Sequence, residues 1–147
     1  MVIVLAQTFY LENRMSTTAK AIFSILEWDE KSFHEQAGEG KMTRAHVRYR
    51  YEGDLAGEST VEYLMAYPEV GDASYVGLQR FVGTLAGKTG SFVLQHIGTA
   101  NQVDVFDQIE VVAGSATGEL AGLRGHGKLA ISGHAEGYPF AIEYEFV

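Results

Sequence analysis

A carboxylate, an imidazole and phenols gathered in an apolar enclosure can move protons, and one sheet face would bring Glu62, His96, Tyr49 and Tyr51 together. The segments Ala56-Gly57 and Ala86-Gly87 read as two-residue hairpin turns, and counting outward from a turn fixes the strand register. In the first hairpin Leu55 then faces Glu58, Tyr51 faces Glu62, Tyr49 faces Leu64 and Val47 faces Ala66. In the second Phe81 faces Phe92, Gln79 faces Leu94 and Gly77 faces His96. The expected pocket wall is therefore Tyr49, Tyr51, Glu62, Gln79, Phe81, Phe92, Leu94 and His96, with Gly77 leaving space opposite His96. A carboxylate there needs a partner, because burial penalises its charge. Glu62 and His96 beside two phenols suit acid–base work on an apolar ligand. The same cluster is also what a satisfied structural network looks like, or Glu62 in water at the mouth, and that reading has the stronger claim.

Other chemistry-bearing patterns fail on spacing. Val82-Gly83-Thr84-Leu85-Ala86-Gly87-Lys88-Thr89 ends like a phosphate-binding loop, but the consensus needs glycine where Val82 stands and a helix after the threonine. Gly90 to Gly98 reads as a strand, and a hairpin cannot aim successive backbone N–H groups at phosphate. The five histidines, His34, His46, His96, His126 and His134, include no pair at metal-ligand spacing on one strand or helix face. His126 and His134 flank a turn and could meet, yet two ligands without a third are weak. His46, Arg48 and Arg50 form a basic stripe, read as a solvated strand face balanced by Glu52. Gly114-Ser115-Ala116-Thr117-Gly118 has the wrong spacing for a nucleophile elbow. Neither a metal nor a cofactor is expected.

Composition removes further classes. A net charge of −8 argues against nucleic acid and anionic membranes as partners. With no cysteine there is no thiol nucleophile, disulfide framework or thiolate-held metal, and a cytoplasmic location is expected. No window approaches a membrane span, and Met-Val-Ile-Val-Leu-Ala at the start is too short for a signal core. At 147 residues, 46% apolar and 20% charged, the chain fits one domain with a single core. The regular pattern begins at Ser16-Thr17-Thr18, so residues 1–15 are expected to be a peripheral extension and 16–147 the domain.

The elements that must position these residues are strands. Eight Tyr, eight Phe and 17 Gly against 2 Pro favour twisted strands joined by tight turns. A five-residue repeat stands out: Gly53-Asp54-Leu55-Ala56-Gly57, Gly83-Thr84-Leu85-Ala86-Gly87 and Gly118-Glu119-Leu120-Ala121-Gly122. Its spacings, 30 and 35 residues, are too uneven for a solenoid. Strands are predicted over about 18–28, 44–55, 58–68, 74–85, 88–98, 102–112, 122–132 and 138–147, with 29–43 a loop and 113–121 a longer connection or one helical turn. Tyr138, Phe140, Ile142, Tyr144 and Phe146 alternate as a half-buried strand. In 122–132, Arg124, His126 and Lys128 outside leave Gly125 and Gly127 inside, with room for a cavity or a close neighbouring backbone. Val76, Leu78, Val82, Val93 and Ile97 fall on the outward face of the second hairpin, an apolar set that predicts a homodimer or trimer. Eight such strands give an all-β, antiparallel barrel or sandwich.

Tyr75-Val76-Gly77, the run from Gly83 to His96 and the run from Gly114 to Leu123 resemble a bacterial family of uncharacterised proteins with an allene-oxide-cyclase-like barrel. Gly53 to Gly57 and the segment from Lys20 to Trp28 extend the likeness to nearly everything after Met15. The resemblance implies an eight-stranded barrel and no established activity. No catalytic motif of the allene oxide cyclases is matched here, so their chemistry is fold-level analogy.

Three readings remain open: a barrel binding a small apolar or aromatic ligand, an isomerase or cyclase using Glu62 and His96, and a ligand-free oligomeric scaffold. Eight-stranded barrels range from filled to ligand-holding, so the fold does not choose.

Overall fold

The computed structural model describes residues 16–147, and the expected extension over 1–15 lies outside the described residues. Eight strands follow in order: β1 (Thr17–Gln36), β2 (Gly40–Gly53), β3 (Leu55–Tyr67), β4 (Ala73–Leu85), β5 (Lys88–Ala100), β6 (Asp104–Val111), β7 (Leu123–Ser132) and β8 (Tyr138–Phe146). They close into one antiparallel barrel in which each strand pairs with its neighbours in sequence and β8 returns to β1. This is the eight-stranded barrel that the strand pattern and the resemblance both led to expect. Among the described residues no helix is long and apolar enough to cross a membrane.

Period-two alternation sorts the faces. On β3, Val61, Tyr63 and Met65 are buried while Glu58, Thr60 and Glu62 are exposed. On β8, Phe140, Ile142 and Tyr144 are buried, as their alternation predicted. On β7 the glycines do face inward, and the cause is a neighbouring backbone: a Cβ on Gly127 would lie 2.6 Å from the Ala141 carbonyl.

The repeated pentapeptide builds the closed end of the barrel. Leu55, Leu85 and Leu120, the central residues of the three copies, are all fully buried in one core cluster. The first two copies are antiparallel partners, with Leu55 opposite Leu85 and Gly57 opposite Gly83. Gly57 lacks a Cβ because one would strike the backbone of Gly83, whose Cα lies 2.9 Å from that position. Ala86-Gly87 is the tight turn that was expected, both residues having positive φ (49° and 83°). Ala56-Gly57 is not a turn. The chain reverses earlier, at Gly53-Asp54, and residues 56 and 57 belong to β3. Asp54 fixes that bend: its backbone N–H donates to the Lys20 carbonyl, its carboxylate accepts from the Lys20 N–H, and its carbonyl accepts from Ala86. The third copy forms a single 3-10 turn, Gly118–Leu120.

The segment 29–43, expected as a loop, is a hairpin: β1 runs on to Gln36 and β2 starts at Gly40. Its residues are polar on both faces because this part of β1 pairs with β2 alone, β8 meeting β1 only as far as Phe23. Two bulges, at Ile25/Glu27 and Ser32/His34, interrupt this free edge. Glu30 ties it down, accepting from Trp28 Nε1 at 3.0 Å, from Thr43 Oγ1 at 2.6 Å and from the Tyr67 hydroxyl. Burial pushes the Glu30 carboxyl up, but those donors and the charge of Lys41 together outweigh it and hold the group below its ordinary value.

Candidate functional site

The barrel is plugged at the end carrying the pentapeptides and hollow at the other. A cavity of about 230 Å³ descends from the mouth between the β5–β6 and β7–β8 connections. Its walls are aromatic: Phe23, Tyr49, Tyr51, Tyr63, Tyr138 and Phe140 all line it. Trp28 stands at the rim, its ring stacked on Tyr63 at 6.1 Å. β7 and β8 pair only from Leu123 to His126, so no ladder joins their mouth-facing halves where the cavity opens.

Two interior glycines shape this space through the missing Cβ, neither having positive φ. The Tyr63 ring lies over Gly77, where a Cβ would come within 2.6 Å of its Cδ1. The Tyr75 hydroxyl lies over Gly98, the residue paired with Asp107. Bulk that the glycines omit is thus supplied by phenols from neighbouring strands.

A polar chain crosses the cavity floor with one residue from each of five successive strands. The Gln79 amide nitrogen donates to the hydroxyls of Tyr51 and Ser59, each at 2.6 Å. Its amide oxygen lies 2.6 Å from His96 Nε2, and His96 Nδ1 lies 2.7 Å from Asp107 Oδ2. An amide oxygen only accepts, so Nε2 carries a proton. The Nδ1–Oδ2 contact then holds one more, as imidazolium and carboxylate or as imidazole and carboxylic acid, and the pair is net neutral either way. Turning the amide over would leave a net negative charge out of water, which apolar surroundings disfavour. Asp107 Oδ1 is buried without a hydrogen-bond partner.

The phenols are held neutral. Burial, slightly offset by the bond to Tyr63, pushes Tyr49 up to about 12. Burial likewise drives Tyr51, Tyr63 and Tyr75 well above the ordinary phenol range, with the Asp107 charge a lesser cause in each. The Tyr49 and Tyr63 hydroxyls are bonded to each other at 3.0 Å.

Of the residues expected at the pocket, Tyr49, Tyr51 and His96 line the cavity. Gln79 is buried in the network beneath it. Phe81, Phe92 and Leu94 are fully buried and belong to the packed core, the Phe81 and Phe92 rings meeting in a tilted pair with centroids 5.1 Å apart. Glu62 is a correction: it is on the outer wall, 55% exposed, bonded to His46 Nδ1 at 2.7 Å. The turn displaced from Ala56-Gly57 moves the β2–β3 register by an odd number, so that His46, not Tyr51, faces Glu62. Glu62 and His96 therefore do not meet inside the barrel. The second hairpin keeps its expected register, Phe81 opposite Phe92 and Gly77 opposite His96. The basic stripe is balanced by Glu27, Glu58 and Glu62 rather than Glu52. His126 and His134 do not meet: His126 lies 3.6 Å from Glu143, and His134 bonds the Gln102 carbonyl. No cluster able to hold a metal ion exists among the described residues.

Sequence reasoning missed Tyr63, Tyr75, Ser59 and Asp107. The signal was present for two of them. Val61-Tyr63-Met65 alternating with Thr60-Glu62 marks the Tyr63 face as the buried one, and Asp107 is the single charge in the inward series Val105, Asp107, Ile109, Val111.

The family model described as "Protein of unknown function (DUF3224)" matches residues 19–144. Among solved structures, a protein with unknown function from the DUF3224 family of Shewanella oneidensis MR-1 is similar. It shares 30% sequence identity at a TM-score of 0.77, over 90% of this chain and 98% of that one. None of the curated proteins matches.

Proposed function

The chain belongs to the DUF3224 family, and from that premise we propose that its barrel binds a small apolar or aromatic ligand inside. The observation that carries this reading is the aromatic-walled cavity of about 230 Å³ beneath an open mouth. That is the liquid volume of about eight waters, in a space whose walls offer them few partners. A protein of this size fills such a space with side chains unless something else occupies it. Here the floor instead carries an ordered polar chain.

Trp28, the single tryptophan, stands at the rim and reports occupancy by its emission. Titration with small neutral aromatics is expected to change that emission saturably. Ala100→Phe, which fills the mouth, is expected to abolish the response while the protein stays folded. Native mass spectrometry of the freshly purified protein supplies the second readout, a bound mass of a few hundred daltons at most. No saturable response and no bound mass would overturn the reading.

A further inference from the structure

We infer that the ligand is uncharged and carries a hydrogen-bond acceptor, a carbonyl oxygen above all, at the end that enters first; this rests on the cavity reading above. The inference follows from counting protons at the floor. The Tyr51 hydroxyl accepts from Gln79 and has Ser59 beside it as a second hydrogen-bond partner, so its own proton is spoken for. In the Tyr49–Tyr63 pair one hydroxyl donates to the other, which leaves the second with a proton to give. A neutral donor of the Tyr49–Tyr63 pair therefore faces the cavity, and an acceptor on the ligand completes it.

Charge selects in the same direction. Neither Lys nor Arg lines the cavity, and the one buried imidazole has both nitrogens committed, to Gln79 and Asp107. His134 is at the rim, bonded to the Gln102 carbonyl. An anion at the floor would lie beside Asp107 with no cation to pair with it. The phenols cannot neutralise one by passing it a proton, because burial holds them protonated far above neutral pH. Ketones, aldehydes, lactones and quinones of one or two rings fit these conditions; carboxylates and phosphates do not.

The experiment compares acetonaphthone, ethylnaphthalene and naphthoate by Trp28 emission at neutral pH. The ketone is expected to bind about tenfold more tightly than the hydrocarbon, the worth of one good buried hydrogen bond. Naphthoate is expected to bind more weakly than either. In the double variant Tyr49→Phe/Tyr63→Phe the ketone's advantage over ethylnaphthalene should vanish, whereas either single variant still leaves one hydroxyl proton free and should keep most of it. A merely structural role would weaken both ligands alike and leave their ratio unchanged. Equal binding of ketone and hydrocarbon, or tightest binding of naphthoate, overturns this ligand class and leaves the cavity reading standing. Failure of all three to bind overturns both.

Discussion

Gln79 and His96 meet at 2.6 Å through an amide oxygen and Nε2, and through that contact a single glutamine links four strands. Replacing it by leucine removes three bonds at once and strands His96, Tyr51 and Ser59 away from water. A cost of about 1–3 kcal/mol for each partner left unpaired is expected. Urea denaturation of Gln79→Leu measures it, and a stability equal to wild type would show that the network does not hold the fold.

Gly77→Ala places a methyl 2.6 Å from Cδ1 of Tyr63. Overpacking of this kind should cost about 1–3 kcal/mol. In a Tyr63→Ala background the same change should cost far less, so a double-mutant cycle isolates the contact. Additive losses would mean that Gly77 is there for some other reason.

Alkaline pH should unfold the protein through its tyrosines. Burial pushes Tyr49 up to about 12 and raises Tyr51, Tyr63 and Tyr75 as well, against 10.0 for an exposed phenol. Below 10 both states are protonated and these groups leave stability unchanged. Above it the unfolded chain alone ionises, so stability falls as pH rises. Phenolate absorbance from these four is expected to appear only together with loss of the near-ultraviolet dichroism. Smooth titration of every tyrosine near 10 in the folded state would contradict this.

Glu62→Gln should spare the cavity and act on the outer wall instead. The hydrogen bond that His46 donates to Glu62 raises the imidazole above 6.5, so the pairing is fully present below 6.5 and is lost as pH rises through the folded value. In the variant, the His46 ring resonances should titrate at lower pH, while ligand titrations by Trp28 emission stay unchanged. Loss of ligand binding would place Glu62 nearer the site than the register does.

The outward apolar set bears on association. Val76, Leu78, Val82 and Ile97 are 49%, 57%, 47% and 53% exposed, and Val76 is flanked in register by Leu64 and Ile97 across three strands. Association of like copies through this face is the expected way to cover it. Light scattering should show a dimer or trimer that Leu78→Glu shifts to monomer. A wild-type monomer at micromolar concentration removes the expectation.

Much of this fold could be read from residues alone, because strand alternation and glycine-marked reversals are local signals. The second hairpin comes out in register since Ala86-Gly87 really is the turn. The first does not, since the two copies share the pattern Gly-x-Leu-Ala-Gly, with Asp54 where the second has Thr84, yet take different roles. What distinguishes the copies is tertiary: Asp54 bonds Lys20 and Ala86, and Gly57 must clear Gly83. The β1–β2 extension was equally illegible, because a ribbon held by backbone pairing beyond the core has no buried face to write a hydrophobic period. His96 was found and its partner Asp107 was not, because β6 has no turn from which to count back to β5.

The order of strands around the barrel also has a kinetic meaning. Seven of its eight pairings join strands adjacent in the chain, and only β1 with β8 brings distant segments together, Thr17 meeting Tyr144. Hairpins can form early at small entropic cost, whereas that single closure must gather almost the whole domain into one loop. The β8 strand, held by four pairs to β7 and seven to β1, is accordingly expected to dock last and leave first. The cavity comes into being only with that step. A ligand that fills it should therefore slow unfolding more than it speeds folding.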